Sequence, residues 1–111
     1  MFSYKQRRAW LEAKVSEFQA NGIDASLRCG PDDGSKPGLG FGLVGRNAIG
    51  LLESWVTGET DYTIHAPPAG KMVSHKWMLI STDETFEAIF DEFVVEFQKY
   101  EIAPLSDQIS D

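Results

Sequence analysis

Two histidines, one cysteine, a trio of neighbouring carboxylates and one glycine run are the places where this 111-residue sequence could do chemistry. His65 and His75 flank Pro67-Pro68-Ala69-Gly70 almost symmetrically. That would set them opposite or one diagonal step apart on neighbouring strands, near enough to share a metal. A metal site needs a third ligand, which only Asp61, Glu53 or a partner chain could supply, so two ordinary sheet-surface histidines are the simpler expectation. No helix N-terminus or cationic cluster flanks Cys29 to hold it as a thiolate nucleophile, and it reads as a small buried strand residue. Glu53, Glu59 and Asp61 could form an acid/base set, but Glu59 falls in a turn and no separation between them follows from spacing. Gly40-Phe41-Gly42-Leu43-Val44-Gly45 matches the dinucleotide-binding glycine pattern literally, yet Arg46-Asn47-Ala48-Ile49-Gly50 follows it and opens no helix to face a pyrophosphate. The sequence therefore predicts no catalytic residue, no cofactor and no metal.

The elements that would position these residues are legible in the periodicities. Tyr4, Leu11, Val15 and Phe18 mark a first helix from Ser3 to Ala20, stopped by Asn21-Gly22. Ile23, Ala25, Leu27 and Cys29 alternate with polar residues as a half-buried strand, and Gly30 to Gly38 reads as a long mobile loop. Further strands follow at Leu39–Leu43, Ile49–Val56, Thr60–Ala66 and Met72–Ile80, joined by short turns at Gly45-Arg46-Asn47 and Thr57-Gly58-Glu59. Short connections favour an antiparallel meander over crossover units. Phe86, Ile89, Phe90, Phe93, Val94 and Phe97 then trace one stripe of a closing helix, introduced by Ser81-Thr82-Asp83-Glu84 as a capping box in which Ser81 accepts and Glu84 reaches back. The fold class is α+β: an N-terminal helix, a meander of about five strands and a C-terminal amphipathic helix. Both helices lie on one sheet face, because each has a single apolar stripe, and the other face is open. Residues 1–100 form the one domain, and 101–111, which has no period, is a flexible acidic tail.

Charge is the more informative signal. Seventeen acids against ten bases give a formal charge of −7, which repels phosphate and disfavours direct nucleic-acid binding. From Asp83 to Asp111 there are nine acids and one base, Lys99. With the phenylalanines turned inward, Glu84, Glu87 and Asp91 fall on one flank of the last helix and Glu92 and Glu96 on the other, while Ala88 and Val95 point outward between them. This acid-rimmed ridge is a candidate docking surface for a basic protein, set against the plainer reading of a solvated helix face. A second candidate surface involves Trp55 and Trp77. Glu53 leans the Leu51, Glu53, Trp55 set outward, whereas large rings usually dominate small cores and favour burial of both tryptophans. A single cysteine, the lack of an apolar run near the roughly 18 residues of a membrane span and a start without a secretory apolar region lead to the expectation of a cytoplasmic protein with no membrane partner.

The stretch Ile49-Gly50-Leu51-Leu52-Glu53-Ser54-Trp55-Val56-Thr57-Gly58-Glu59-Thr60-Asp61 resembles the TriTu family of immunity proteins. In that family an Ile-Gly opens a strand ending in Trp, any residue, Ser or Thr, and Gly, and an acid-rich strand follows. Ser54 stands where an apolar residue would be expected. The flanking layout agrees from about Phe2 to Lys99, with Trp10-Leu11 and Phe18 on a first helix and an acidic amphipathic helix last. The resemblance implies a small cytosolic antidote, without catalysis, that binds and blocks the C-terminal toxin domain of a contact-dependent or other polymorphic toxin system in bacteria. The acidity adds that the toxin is basic, as a nuclease would be, because enzymes acting on nucleic acid need cationic sites. The expected partner is that toxin domain, met by a chain that is a monomer alone and a heterodimer with toxin. No interface residue transfers from the family. The candidate contacts, Glu84, Glu87, Asp91, Glu92, Val95, Glu53 and Trp55, rest on local charge and pattern. Two rivals belong to other classes: an acidic secretion chaperone holding an effector segment by strand addition, and a small-ligand enzyme or carrier, which would need polar groups converging in a pocket.

Overall fold

The computed structural model describes residues 4–29, 38–66, 70–80 and 82–102, with the side chains of Asp83, Glu84 and Ile102 outside the description. The element order is α1 (Tyr4–Ala20), β1 (Asp24–Cys29), β2 (Gly38–Val44), β3 (Ile49–Trp55), β4 (Glu59–Ala66), β5 (Lys71–Leu79) and α2 (Asp83–Ile102). The strands form one antiparallel sheet in the order β1-β2-β3-β4-β5, the meander that the short turns require. Residues 30–37 of the expected Gly30 to Gly38 loop, the Pro67-Pro68-Ala69 connection, Ser81 and the segment from Ala103 onward lie outside the described residues, and Gly38 already belongs to β2.

Helix α1 ends as its sequence dictates. Gly22 takes φ 80°. Its N–H donates to Gln19 O and that of Ile23 to Phe18 O, both at 3.0 Å, the paired bonds of a Schellman stop that also brings Ile23 against the last turn. At the start of α2 the accepting hydroxyl is that of Thr82, which takes the Thr85 N–H at 3.1 Å. The cap thus sits one residue later than the expected Ser81 box, and Thr85 stands where Glu84 was expected to reach back. A hydroxyl one position on serves because the cap requires only an oxygen within reach of the third helical N–H.

Both helices cover the same face of the sheet. Phe86, Phe90, Phe93 and Phe97 are buried along the inner stripe of α2, and Leu11 of α1 joins them. Each fully buried phenylalanine contributes about 1.5–3 kcal/mol relative to an exposed one. Phe41 of β2 sits at the centre, edge-on to Phe90 at 5.0 Å and to Phe18 at 6.0 Å between centroids, so it joins both helices to the sheet. Trp10 closes the helix–helix side against Phe86 and Phe90. No helix among the described residues is long and apolar enough to cross a membrane.

Candidate functional site

Strand alternation sends one set of side chains to the helices and leaves the other on the open face. The inner set includes Leu39, Phe41, Leu43, Leu52, Tyr62 and Ile64, all buried. On the open face, cross-strand register aligns Arg28, Gly40, Glu53, Asp61 and Trp77 in one row. Trp55 belongs to the same face, two residues along β3 from Glu53. The expectation that Trp55 and Trp77 pack in the core is therefore wrong. Trp77 is 57% exposed. Trp55 is half-buried, lying over Gly38, where any Cβ would strike its ring. The core has no room for either: four phenylalanines from α2 and Phe41 already fill it. Trp10 is the one tryptophan packed against them.

Gly38, Gly40 and Gly42 floor a recess of about 170 Å³ on this face, walled by Leu51, Glu53 and Trp55 on one side and Ser26 and Arg28 on the other. That use of the glycines replaces the phosphate-cradling one, since β3 and no helix follows them. Cys29, expected to be buried, is exposed, because it ends the edge strand β1 beyond the cover of α1. His65 pairs with Met72 while His75 pairs with Thr63, which places the histidines one diagonal apart on the open face. Among the described residues no three His, Cys, Asp or Glu side chains gather to hold a metal.

The acids of α2 divide by environment. Glu87 and Asp91 are exposed, as is Val95 at 63%. Asp91 and Val95 border a groove of about 390 Å³ between the helices, with Lys14, Glu17 and Phe18 on the α1 side. Glu92 instead folds onto the sheet, accepting from Tyr62 Oη at 2.6 Å and Lys76 Nζ at 3.0 Å. The Tyr62 hydrogen bond, followed by Lys76, holds the Glu92 carboxyl below its ordinary value. Burial, with the adjacent Glu92 carboxylate, pushes the Tyr62 phenol well up. Glu84 lies in α2, with its side chain outside the described residues. Glu53 and Trp55 thus stand on one side of the molecule and Glu87, Asp91 and Val95 on the opposite side. The expected contacts do not form one contiguous patch.

Behind β3, Arg7 is 3% exposed and runs into a buried polar chain. Its Nη1 donates to Ser54 Oγ at 3.3 Å, Ser54 and Thr60 share a hydrogen bond of 2.9 Å, and Thr60 Oγ1 donates to Gly58 O at 3.1 Å. The Arg7 guanidinium also stacks 3.9 Å over the Phe86 ring. Ser54 is polar, where an apolar residue was expected, because a buried arginine meets it. The neighbouring motif residues set geometry. A Cβ on Gly50 would meet Phe93 at 2.9 Å, so the glycine lets α2 seat on β3. Gly58 takes φ 107°, its N–H bonds Trp55 O, and its carbonyl accepts from Ile80 N–H at 2.9 Å. Thr57 Oγ1 donates to Glu59 at 2.5 Å across the same turn.

These residues lie within a match that spans residues 5–96 and is described as Immunity protein TriTu. The chain belongs to the TriTu family of immunity proteins. Membership supports an immunity role and implies a cognate toxin as partner. No curated protein and no solved structure matches the chain. In this TriTu protein Ile49, Gly50, Trp55, Thr57 and Gly58 seat a helix, order an open face and close a turn. Sequence reasoning passed over Arg7 and did not bring Asp61 and Trp77 together with Glu53. Arg7 occupies the α1 stripe, three residues after Tyr4 and four before Leu11, and that position was the available signal. Asp61 and Trp77 are joined to Glu53 only by strand register, which no local pattern fixes.

Proposed function

We propose that this TriTu protein is a non-enzymatic antidote that binds the C-terminal toxin domain of a contact-dependent or other polymorphic toxin system in the cytoplasm and blocks its active surface. The toxin is a basic nuclease. The supporting observation is that Glu53, Asp61, Glu87 and Asp91 make no ion pair among the described residues. On a chain of charge −7 they leave a field that a cationic partner would satisfy. A nuclease must gather cations to hold a phosphate backbone, and an acidic lid of stable shape competes for them directly. Inhibition of this kind requires a complementary surface but no bond-making, so neither metal nor cofactor takes part. The protein is a monomer alone and forms a heterodimer with toxin, touching neither nucleic acid nor membrane. Glu84, Glu87, Asp91, Glu92 and Val95 of α2 supply one candidate contact surface and Glu53 and Trp55 the other.

Stopped-flow association with the toxin domain at rising salt tests the electrostatic basis. The association rate falls steeply as ionic strength rises from low to physiological values, where the screening length is about 8 Å. A rate indifferent to salt removes the argument. Inhibition persists in chelator when the toxin itself needs no metal, and metal analysis of the untagged protein finds no stoichiometric zinc.

A further inference from the structure

Seven large apolar side chains are exposed among the described residues, and six of them lie on strands: Val44, Ile49, Met72, Val73, Trp77 and Leu79. Val95 alone lies on a helix. Register places Val44, Ile49, Met72, Trp77 and Leu79 on the open face, which no described element covers. The charge of that face is also one-sided. Among the described residues, Asp24, Glu53, Glu59 and Asp61 share it with a single formal cation, Arg28, beside His65 and His75, while Lys71 and Lys76 pair with the inward-facing Ala66 and Tyr62 and fall on the helix side. Glu53 and Asp61 are directly opposite each other. Like charges in that relation destabilise a sheet, and neither side chain has an ion-pair partner among the described residues to relieve it. The isolated protein therefore retains an electrostatic cost between Trp77, next to Asp61 in the same row, and Trp55, which walls the shallow recess beyond Glu53.

We propose that the open sheet face is the toxin-docking surface and that its occupant is a cationic toxin segment, whose arginine stands between Trp55 and Trp77 against Glu53 and Asp61. This rests on the antidote reading above. Arginine fits better than lysine, since its planar guanidinium can stack on an indole while two carboxylates accept from its fork of N–H groups. Aliphatic parts of the segment cover Ile49, Leu79 and the glycine-floored recess, where the missing side chains allow backbone to approach closely. Tryptophan and a desolvated charge pair at the centre of an apolar patch are the composition of an interface hot spot. Among the described residues the α2 flank has a single exposed large apolar side chain, Val95, and its Glu92 is already engaged by Tyr62 and Lys76.

The test uses the full chain and, as probe, the inactivated C-terminal domain of its cognate toxin. Asp61→Asn with Glu53→Gln removes the opposed charges at nearly constant shape. It leaves the melting temperature unchanged or raised, yet weakens toxin binding by about 30-fold or more, chiefly through faster dissociation. A merely structural role for the pair would move stability and affinity in the same direction. Trp77→Ala, on an exposed side chain, gives about a tenfold loss with normal melting. Glu87→Gln with Asp91→Asn, on the other candidate surface, costs less affinity than either open-face change. If the wild type fails to bind the toxin, the antidote reading falls and this proposal with it. If it binds, and only the α2 pair matters, the docking surface is overturned while the antidote reading stands. A free protein that sediments as a dimer and is dispersed by Trp77→Ala would assign the face to a second copy and also overturn it.

Discussion

Glu101 and Asn47 hold each other in both directions. Glu101 Oε1 accepts the Asn47 backbone N–H at 2.6 Å, and the Asn47 side-chain amide donates to Glu101 O at 2.8 Å. The same carboxylate accepts from Arg46 and Ala48 N–H, each at 2.9 Å, so three successive amides of the β2–β3 turn converge on one anion. Such a nest attracts negative charge, which offsets the unfavourable position of a carboxylate at a helix C-terminus. A segment expected to fray at Glu101 is instead helical to Ile102 and pinned to the sheet.

Glu101→Ala should therefore lower stability by about 1–3 kcal/mol by leaving three amides without their acceptor. Hydrogen exchange checks it residue by residue: the amides of Arg46, Asn47 and Ala48 lose protection, while those of Phe41 and Leu52 keep theirs. Uniform loss would mean that the clamp is not local.

Arg7→Met and Ser54→Ala should each destabilise. Their double-mutant cycle should show a coupling of about 0.5–3 kcal/mol, because both act on one buried polar chain. Denaturant unfolding of the four proteins measures it. Additive effects would separate Arg7 from Ser54 and leave the polar residue before Trp55 without its explanation.

The Glu92 bridge predicts a pH dependence of definite sign. The folded carboxyl titrates below its ordinary 4.5, so its stabilising contribution is complete above that value and is lost as pH falls from 4.5 through the lower folded value. Glu92→Gln lacks this contribution. The stability gap between wild type and variant should be widest near neutrality and close in acid. A gap that widens in acid contradicts the bridge.

Phe93→Ala should cost about 3–5 kcal/mol by opening a cavity at the helix–sheet contact. Gly50→Ala should cost about 1–3 kcal/mol for the opposite reason, since its new methyl group strikes the Phe93 ring. Combined, the two should cost less than their sum, because each relieves the other. Thermal melts of the three variants suffice, and strict additivity would place Phe93 away from Gly50.

The sequence by itself determined what depends on local repetition. The 3.6-residue stripe of phenylalanines placed α2, period-two alternation and short turns produced the meander, and Asn21-Gly22 stopped α1. The motif around Trp55 was enough to reach the family. Tertiary structure alone decided which residues meet across strands and layers, because a side chain's partner depends on register and on the face its neighbours have already filled. Asp61 comes opposite Glu53 and Trp77 only through two strand pairings. Trp55 and Trp77 were left outside because five phenylalanines had taken the core, a competition for volume that no single segment records. Arg7 reaches Ser54 over 47 positions, and Glu101 reaches Arg46 over 55. Contacts at that range carry no local period, so the polar interior and the helix-end clamp became visible only when the chain was closed.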